Sequence, residues 1–261
     1  MSPDGVEVWV PAADGRGPDV LAQRSRHVES DDEVVRTAYE HGVEVLRYAR
    51  SEFGRDGLDG RGSALRIRAH APLGTDAQWY DDEQRIWLGD GDGRLMAPLG
   101  GAADVVAHEF FHGVIDHEVE LGYTGQQGAL HESFADVLAT GIDGNWQIAE
   151  DVYTPGVDGD ALRDLSRLTY TDVRRFPAGY DDVHVMSEAP SHAAYLVGRD
   201  LGMREMRRIW YIALTDHLRD RADFGGARTA TIAAANALHG RGSTQGAAVA
   251  AAWDAVGVLR R

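Results

Sequence analysis

The chain has 261 residues, 43% of them hydrophobic, and its 42 acidic against 26 basic side chains give a formal net charge of −16. That length buries a substantial core in one or two domains, and the acid excess disfavours a nucleic-acid partner, whose phosphates require a basic face. Cysteine is absent and all 26 cationic side chains are arginine, which excludes disulfides, thiolate nucleophiles, Schiff bases and a P-loop, and leaves His, Asp and Glu as the only ligands for a metal.

The opening segment, MSPDGVEVWVPAADGRGPD, has neither a basic n-region nor an apolar h-region, so no signal peptide is expected in this chain. Ser30 and Glu33 form a capping-box pattern ahead of an amphipathic helix that ends at Gly54. After the loop GRDGLDGRG, ALRIRAHA (64–71) alternates like a strand and QRIWLGDG (84–91) reads as a second. The run GDGDG (89–93) resembles the opening of an EF-hand loop, but Leu95 stands where its glycine belongs and Gly101 where its glutamate belongs, so it is read as a turn. From about Ala102 the pattern turns helical. Segments 102–118, 128–141, 187–201, 203–219 and 227–239 carry helical periodicity, and Ser243 or Thr244 caps a last helix through Val258. No apolar run approaches the roughly 18 residues of a membrane span. The expected organisation is an α+β N-terminal domain over 1–119 and a helical C-terminal domain over 120–261.

The first part closes with DVVAHEFFHGV (104–114), in which His-Glu-x-x-His occurs. Chance would produce that motif roughly 0.02 times in a chain of this composition. On a helix His108 and His112 share a face and can reach one ion. Glu109 is rotated away from that ion, placed to act as a base toward a water bound on it. A third ligand must come from another element. In GALHESFADVLA (128–139), Glu132 and Asp136 lie four apart on one helical face. Glu132 is the candidate ligand, and Asp136 the candidate acceptor for the distal N–H of a ligating histidine. His117 and His131 fall off the ligand faces and are read as structural.

The order His-Glu-x-x-His, nineteen residues, then Glu-x-x-x-Asp resembles the thermolysin-like neutral metallopeptidases, the gluzincin type. DAQWYDDEQRIWLGDGDG (76–93), EDVYTPGVDGDALRDLS (150–166), VHVMSEAPSHAAYL (183–196) and GSTQGAAVAAAWDAVGV (242–258) resemble further landmarks of that family, in order. The resemblance implies a two-domain α+β architecture with the active-site helix at the junction. It implies one catalytic zinc on His108, His112 and Glu132, with Glu109 as general base. It makes Tyr123 and His184 the donors to the tetrahedral oxyanion and Arg163 the grip on a substrate carbonyl, with Asp136 behind His108. Read from the residues alone, Tyr123 is equally an ordinary loop tyrosine, His184 a satisfied histidine at a helix entry, and Arg163 the partner of a nearby carboxylate. The resemblance also implies that Ala77 and Trp79, with Asp76 just before them, lie on an edge strand that pairs with an extended substrate. Val105, Ile148, Val152 and Leu162 match the pocket beyond the scissile bond, which implies a bulky apolar residue on the amine side of the cut; plain core packing is the alternative.

The sequence departs from that pattern in places. Asp76 replaces an asparagine and can accept but not donate. Gly179 replaces the aspartate that orients the catalytic histidine, leaving Asp181 or Asp182 to substitute. Asp104, Asp143 and Glu150 remain of a paired calcium site, but Asn145 and Gln147 stand for carboxylates, so one weak calcium or none is expected. The family's long pro-segment is not in the chain, which fits either a cytoplasmic enzyme or a secreted mature fragment. The expectation is a monomeric zinc endopeptidase acting on peptide or protein substrates, without nucleic-acid or membrane partners. The alternatives are a catalytically silent homologue that binds zinc and peptide, favoured by Asp76 and Gly179, and a zinc hydrolase of another amide.

Overall fold

The computed structural model describes residues 5–14, 17–25, 29–177 and 179–259. By compactness the chain divides into two units, Met1–Val114 with Gln147–Leu162, and Ile115–Trp146 with Arg163–Arg261. The segment 147–162 groups with the first unit; a domain limit at residue 119/120 stays our proposal.

The first unit is built on a five-stranded mixed sheet. Its strands are β1 (Val6–Val10), β2 (Val20–Gln23), β3 (Leu65–Ala71), β4 (Ala77–Tyr80) and β5 (Arg85–Gly89), in the order β2-β1-β3-β5-β4. The two expected strands are β3 and β5. Strand β1 joins the sheet parallel to β3, a pairing between distant segments that local alternation does not announce. Leu65, Ile67, Ala69 and Ala71 of β3 are buried on one face, as period-two alternation requires.

Helix α1 (Glu33–Phe53) packs on that face. Its Gly42 is needed there, because a Cβ would sit 3.0 Å from side-chain atoms of both Ile67 and Val6. The expected cap residue is corrected. The Asp32 carboxylate accepts from the Val34 and Val35 amides, while the Ser30 hydroxyl accepts from Asp32 itself. The nearer acid reaches the first-turn amides and adds charge at the positive end of the helix dipole. Gly54, at φ +70°, ends the helix as expected.

Helix α2 (Ala103–Glu118) crosses the dividing line between the units. In the first unit its Phe111 meets Tyr48 and Phe53 of α1 edge to face. The second unit continues with α3 (Gly125–Ala139), α4 (Val183–Met186), α5 (Glu188–Leu201), α6 (Met203–Ile212), α7 (Phe224–His239) and α8 (Thr244–Ala255). From Gly128 to Ala139 every residue of α3 is buried, the mark of a helix surrounded by others. Trp210 of α6 stacks on Trp253 of α8, whose indole N–H donates to Thr231 of α7 at 2.8 Å. The single helix expected over 203–219 ends instead in a π-turn at Ala213–His217. There the Thr215 hydroxyl donates to the Tyr211 carbonyl, a side-chain bond that competes with the helical ladder. Ser243, not Thr244, caps α8.

Candidate metal centre and active site

Helix α2 turns a spacing of four into a shared face. The rings of His108 and His112 meet edge to face with centroids 4.5 Å apart, and their Nε2 atoms face each other at 2.9 Å. Helix α3 supplies the third donor. One nitrogen from each histidine and one Glu132 oxygen form a group whose atoms all lie within 4.8 Å of one another. All three residues are buried, and so is Glu109, at 5% exposure. Two imidazoles and a carboxylate suit zinc better than a hard, oxygen-seeking cation.

Two polar groups converge on Glu132 within the second unit. The Tyr123 hydroxyl donates to its carboxylate, and His184 Nε2 lies 3.6 Å from Glu132 Oε1. Tyr123 is otherwise open to solvent, at 52% exposure, with its ring edge against His131. His131 is buried, its Nε2 3.0 Å from the Asp116 carboxylate, which fits the structural reading. Gly128 makes the convergence sterically feasible. A Cβ there would meet Val183 at 2.6 Å and the Tyr123 backbone at 2.8 Å, so only glycine lets α3, the Tyr123 loop and the entry to α4 approach this closely.

Arg163 spans Asp136 with two parallel bonds, Nε to Oδ2 at 2.9 Å and Nη2 to Oδ1 at 2.8 Å. The carboxylate partner, one of its two expected readings, is thus present. Asp181 and Asp182, the candidate substitutes for a histidine-orienting aspartate, each accept from backbone amides. Asp182 caps α4, accepting from the His184 and Val185 amides at 3.1 and 3.2 Å. Asp181 accepts from the Gly125 amide at 2.6 Å. Sequence reasoning did not anticipate this second tie. The adjacent acids ahead of His184 signal one cap, and nothing local signals that the other serves a helix 56 residues earlier.

In the first unit, β4 is the sheet's edge strand. Ala77 begins it, and the Asp76 carboxylate turns back to accept the Ala77 N–H at 2.9 Å. Trp79 is buried against α2, where a Cβ on Gly113 would stand 3.0 Å from its ring. Val105, Ile148 and Val152 are buried, whereas Leu162 is 43% exposed. Asp104, Asp143 and Glu150 offer oxygens within 4.8 Å of one another. Asp104 is also spent on the backbone, accepting the Val105 amide at 2.7 Å and the Ala149 amide at 2.5 Å. Gly91 and Gly93 take positive φ, and Asp92 accepts three successive amides, as a turn requires.

Known proteins resemble this chain over most of its length. The family profile described as thermolysin metallopeptidase, catalytic domain, matches residues 16–116, and the alpha-helical domain of the same family matches residues 119–258. An extracellular elastase of Staphylococcus epidermidis is 38% identical over 92% of this chain and 49% of its own length. Neutral protease NprE of Bacillus pumilus is 40% identical over 82% of this chain and 73% of its own. The solved precursor of protealysin, a metalloproteinase from Serratia proteamaculans, superposes with a TM-score of 0.86 at 26% identity, covering 97% of this chain and 88% of that one. The chain spans about half the length of several curated relatives that it matches. With both domain profiles in sequence order over residues 16–258 and a His-His-Glu cluster at the expected positions, this chain belongs to the thermolysin metallopeptidase family.

Proposed function

We propose that this chain is a zinc-dependent endopeptidase. The observation that carries the reading is the closeness of His108, His112 and Glu132, with Glu109 next to the first of them. Thermolysin itself is the standard example of a zinc held by two histidines and a glutamate, and the donors here are of those types. Bound there, zinc would polarise the scissile carbonyl and lower the pKa of a water molecule toward neutrality.

Glu109 accepts a proton from the attacking water and passes it to the departing amine, so no acyl-enzyme forms. The Tyr123 hydroxyl and His184 Nε2 donate toward the carbonyl oxygen as negative charge grows on it. Such bonds are stronger in the transition state than in the ground state, which is the condition for raising kcat. The edge strand β4 pairs with an extended substrate through Ala77 and Trp79, beside Asp76. Arg163, held by Asp136, grips a substrate carbonyl. Leu162 with Val105, Ile148 and Val152 favours a bulky apolar side chain on the amine side of the cut. Calcium binding at Asp104, Asp143 and Glu150 is weak, because three carboxylates fall short of the six to eight oxygens calcium takes.

The test is digestion of a mixed peptide library by zinc-loaded protein, with cut sites read by mass spectrometry and Glu109→Gln run alongside. We expect cuts before bulky apolar residues, abolished by chelator and reduced about 10²–10⁴-fold in the variant, the usual range for a lost general base. A folded, zinc-loaded protein that leaves every peptide intact would refute the proposal.

A further inference from the structure

We infer that Asp181 is a positioning residue that holds the two oxyanion donors, Tyr123 and His184, in one arrangement by capping helix α3 from outside it. This rests on the peptidase reading above. Thr124, at the N-cap position of α3, makes no side-chain capping hydrogen bond. The orphan N–H at the first helical position, Gly125, donates instead to Asp181 Oδ1 at 2.6 Å, across 56 residues of chain. A carboxylate at that end also meets the positive pole of the helix dipole.

The neighbouring acid does the same for the next helix. Asp182 accepts from the first amides of α4, His184 and Val185. One Asp-Asp pair therefore caps two helices at once. The first begins two residues after Tyr123 and carries Glu132; the second carries His184. Gly125 takes φ +53° and Gly128 admits Val183 against the Tyr123 backbone, so the contact is close as well as hydrogen-bonded. Gly179 lacks the carboxylate that would orient the His184 ring directly. In this chain the ring is located by anchoring the backbone that bears it to the backbone that bears Tyr123. Asp181 touches neither reacting atoms nor substrate; it acts through Gly125.

The test compares Asp181→Ala with Asp181→Asn. The asparagine oxygen still accepts from Gly125, whereas alanine leaves that amide without its acceptor. We expect Asp181→Ala to lower kcat about tenfold at unchanged KM. Affinity for a tetrahedral phosphinic peptide should fall in parallel, with that for an uncleaved ground-state peptide unchanged. Asp181→Asn should recover most of the rate, and both variants should melt close to the parent. An unchanged kcat in the alanine variant, an equal loss in both variants, or a loss confined to KM would overturn the inference. Amide exchange at Gly125 is read independently of activity. If the parent cleaves no peptide, the peptidase reading fails, and faster Gly125 exchange with shifted Tyr123 and His184 resonances in Asp181→Ala still supports the anchor. Unchanged exchange and resonances would refute it.

Discussion

At the residue scale, identity matters most where one side chain answers for another. Asp136 is nearly inaccessible, with a side chain 2% exposed, and Arg163 neutralises it through two parallel bonds. Removing the cation leaves a buried carboxylate that has lost its bidentate partner. Arg163→Met should therefore cost about 2–4 kcal/mol in a urea melt. Arg163→Lys should recover only part, since an ammonium cannot span both oxygens. A loss below about 0.5 kcal/mol would mean that Asp136 is supported by other groups. His108, His112 and Glu132 were legible as a candidate ligand set from spacing and residue type, because ligation demands particular atoms at helical intervals. Arg163 was not, because its carboxylate lies 27 residues away and no local pattern chooses between that acid and a substrate.

At the element scale, His70 joins pieces that secondary structure leaves separate. Its Nε2 lies 3.0 Å from Asp32, the cap of α1, and its Nδ1 2.8 Å from Asp90, just past β5. A neutral imidazole has one N–H and cannot donate to both. Partial burial pulls the His70 pKa down, but hydrogen bonds and charge from Asp90 and Asp32 outweigh it, and the net shift is upward. Partial burial likewise opposes the shift at Asp32, where the bond to His70 and the two amides prevail and the net shift is downward. A raised histidine pKa stabilises fully below the unfolded value of about 6.5 and loses that contribution as pH rises through the folded pKa. The lowered Asp32 pKa adds stability above about 3.9, lost as pH falls through the folded value. The clamp is thus complete between roughly pH 4 and 6.5. Solvent screening limits it to about 0.5–1 kcal/mol. Melts from pH 5 to 8 should show a fall in parent stability that His70→Gln lacks; parallel curves would remove the clamp from the account. The helix ends illustrate what local chemistry decides. Gly54 and Ser243 were readable from the sequence, whereas Asp32 displaced Ser30 because three acceptors crowd one helix start.

At the scale of the whole molecule, metal and folding are coupled, because a ligand that binds only the folded state stabilises it in proportion to RT ln(1 + [L]/Kd). Zinc at a hundred times its Kd should add about 2.7 kcal/mol and raise Tm by several degrees, with chelator reversing the gain. Millimolar calcium should add less than about 1 kcal/mol in the same calorimetric series. A calcium shift as large as that of zinc would count against the thinned site at Asp104, Asp143 and Glu150. The sequence by itself pointed to the candidate ligands His108, His112 and Glu132 and to Glu109 beside them, and it determined the helical second half and the family. These follow from residue types at fixed spacings, and period and ligation chemistry are local properties of a chain. Only the tertiary structure decided that β1 pairs with β3, that Arg163 lies on Asp136, and that Asp181 caps α3. Each of these joins segments far apart in the chain, and many acids and arginines in a chain of this charge could have made the same bond. Packing chooses among them, and packing is a property of the folded whole.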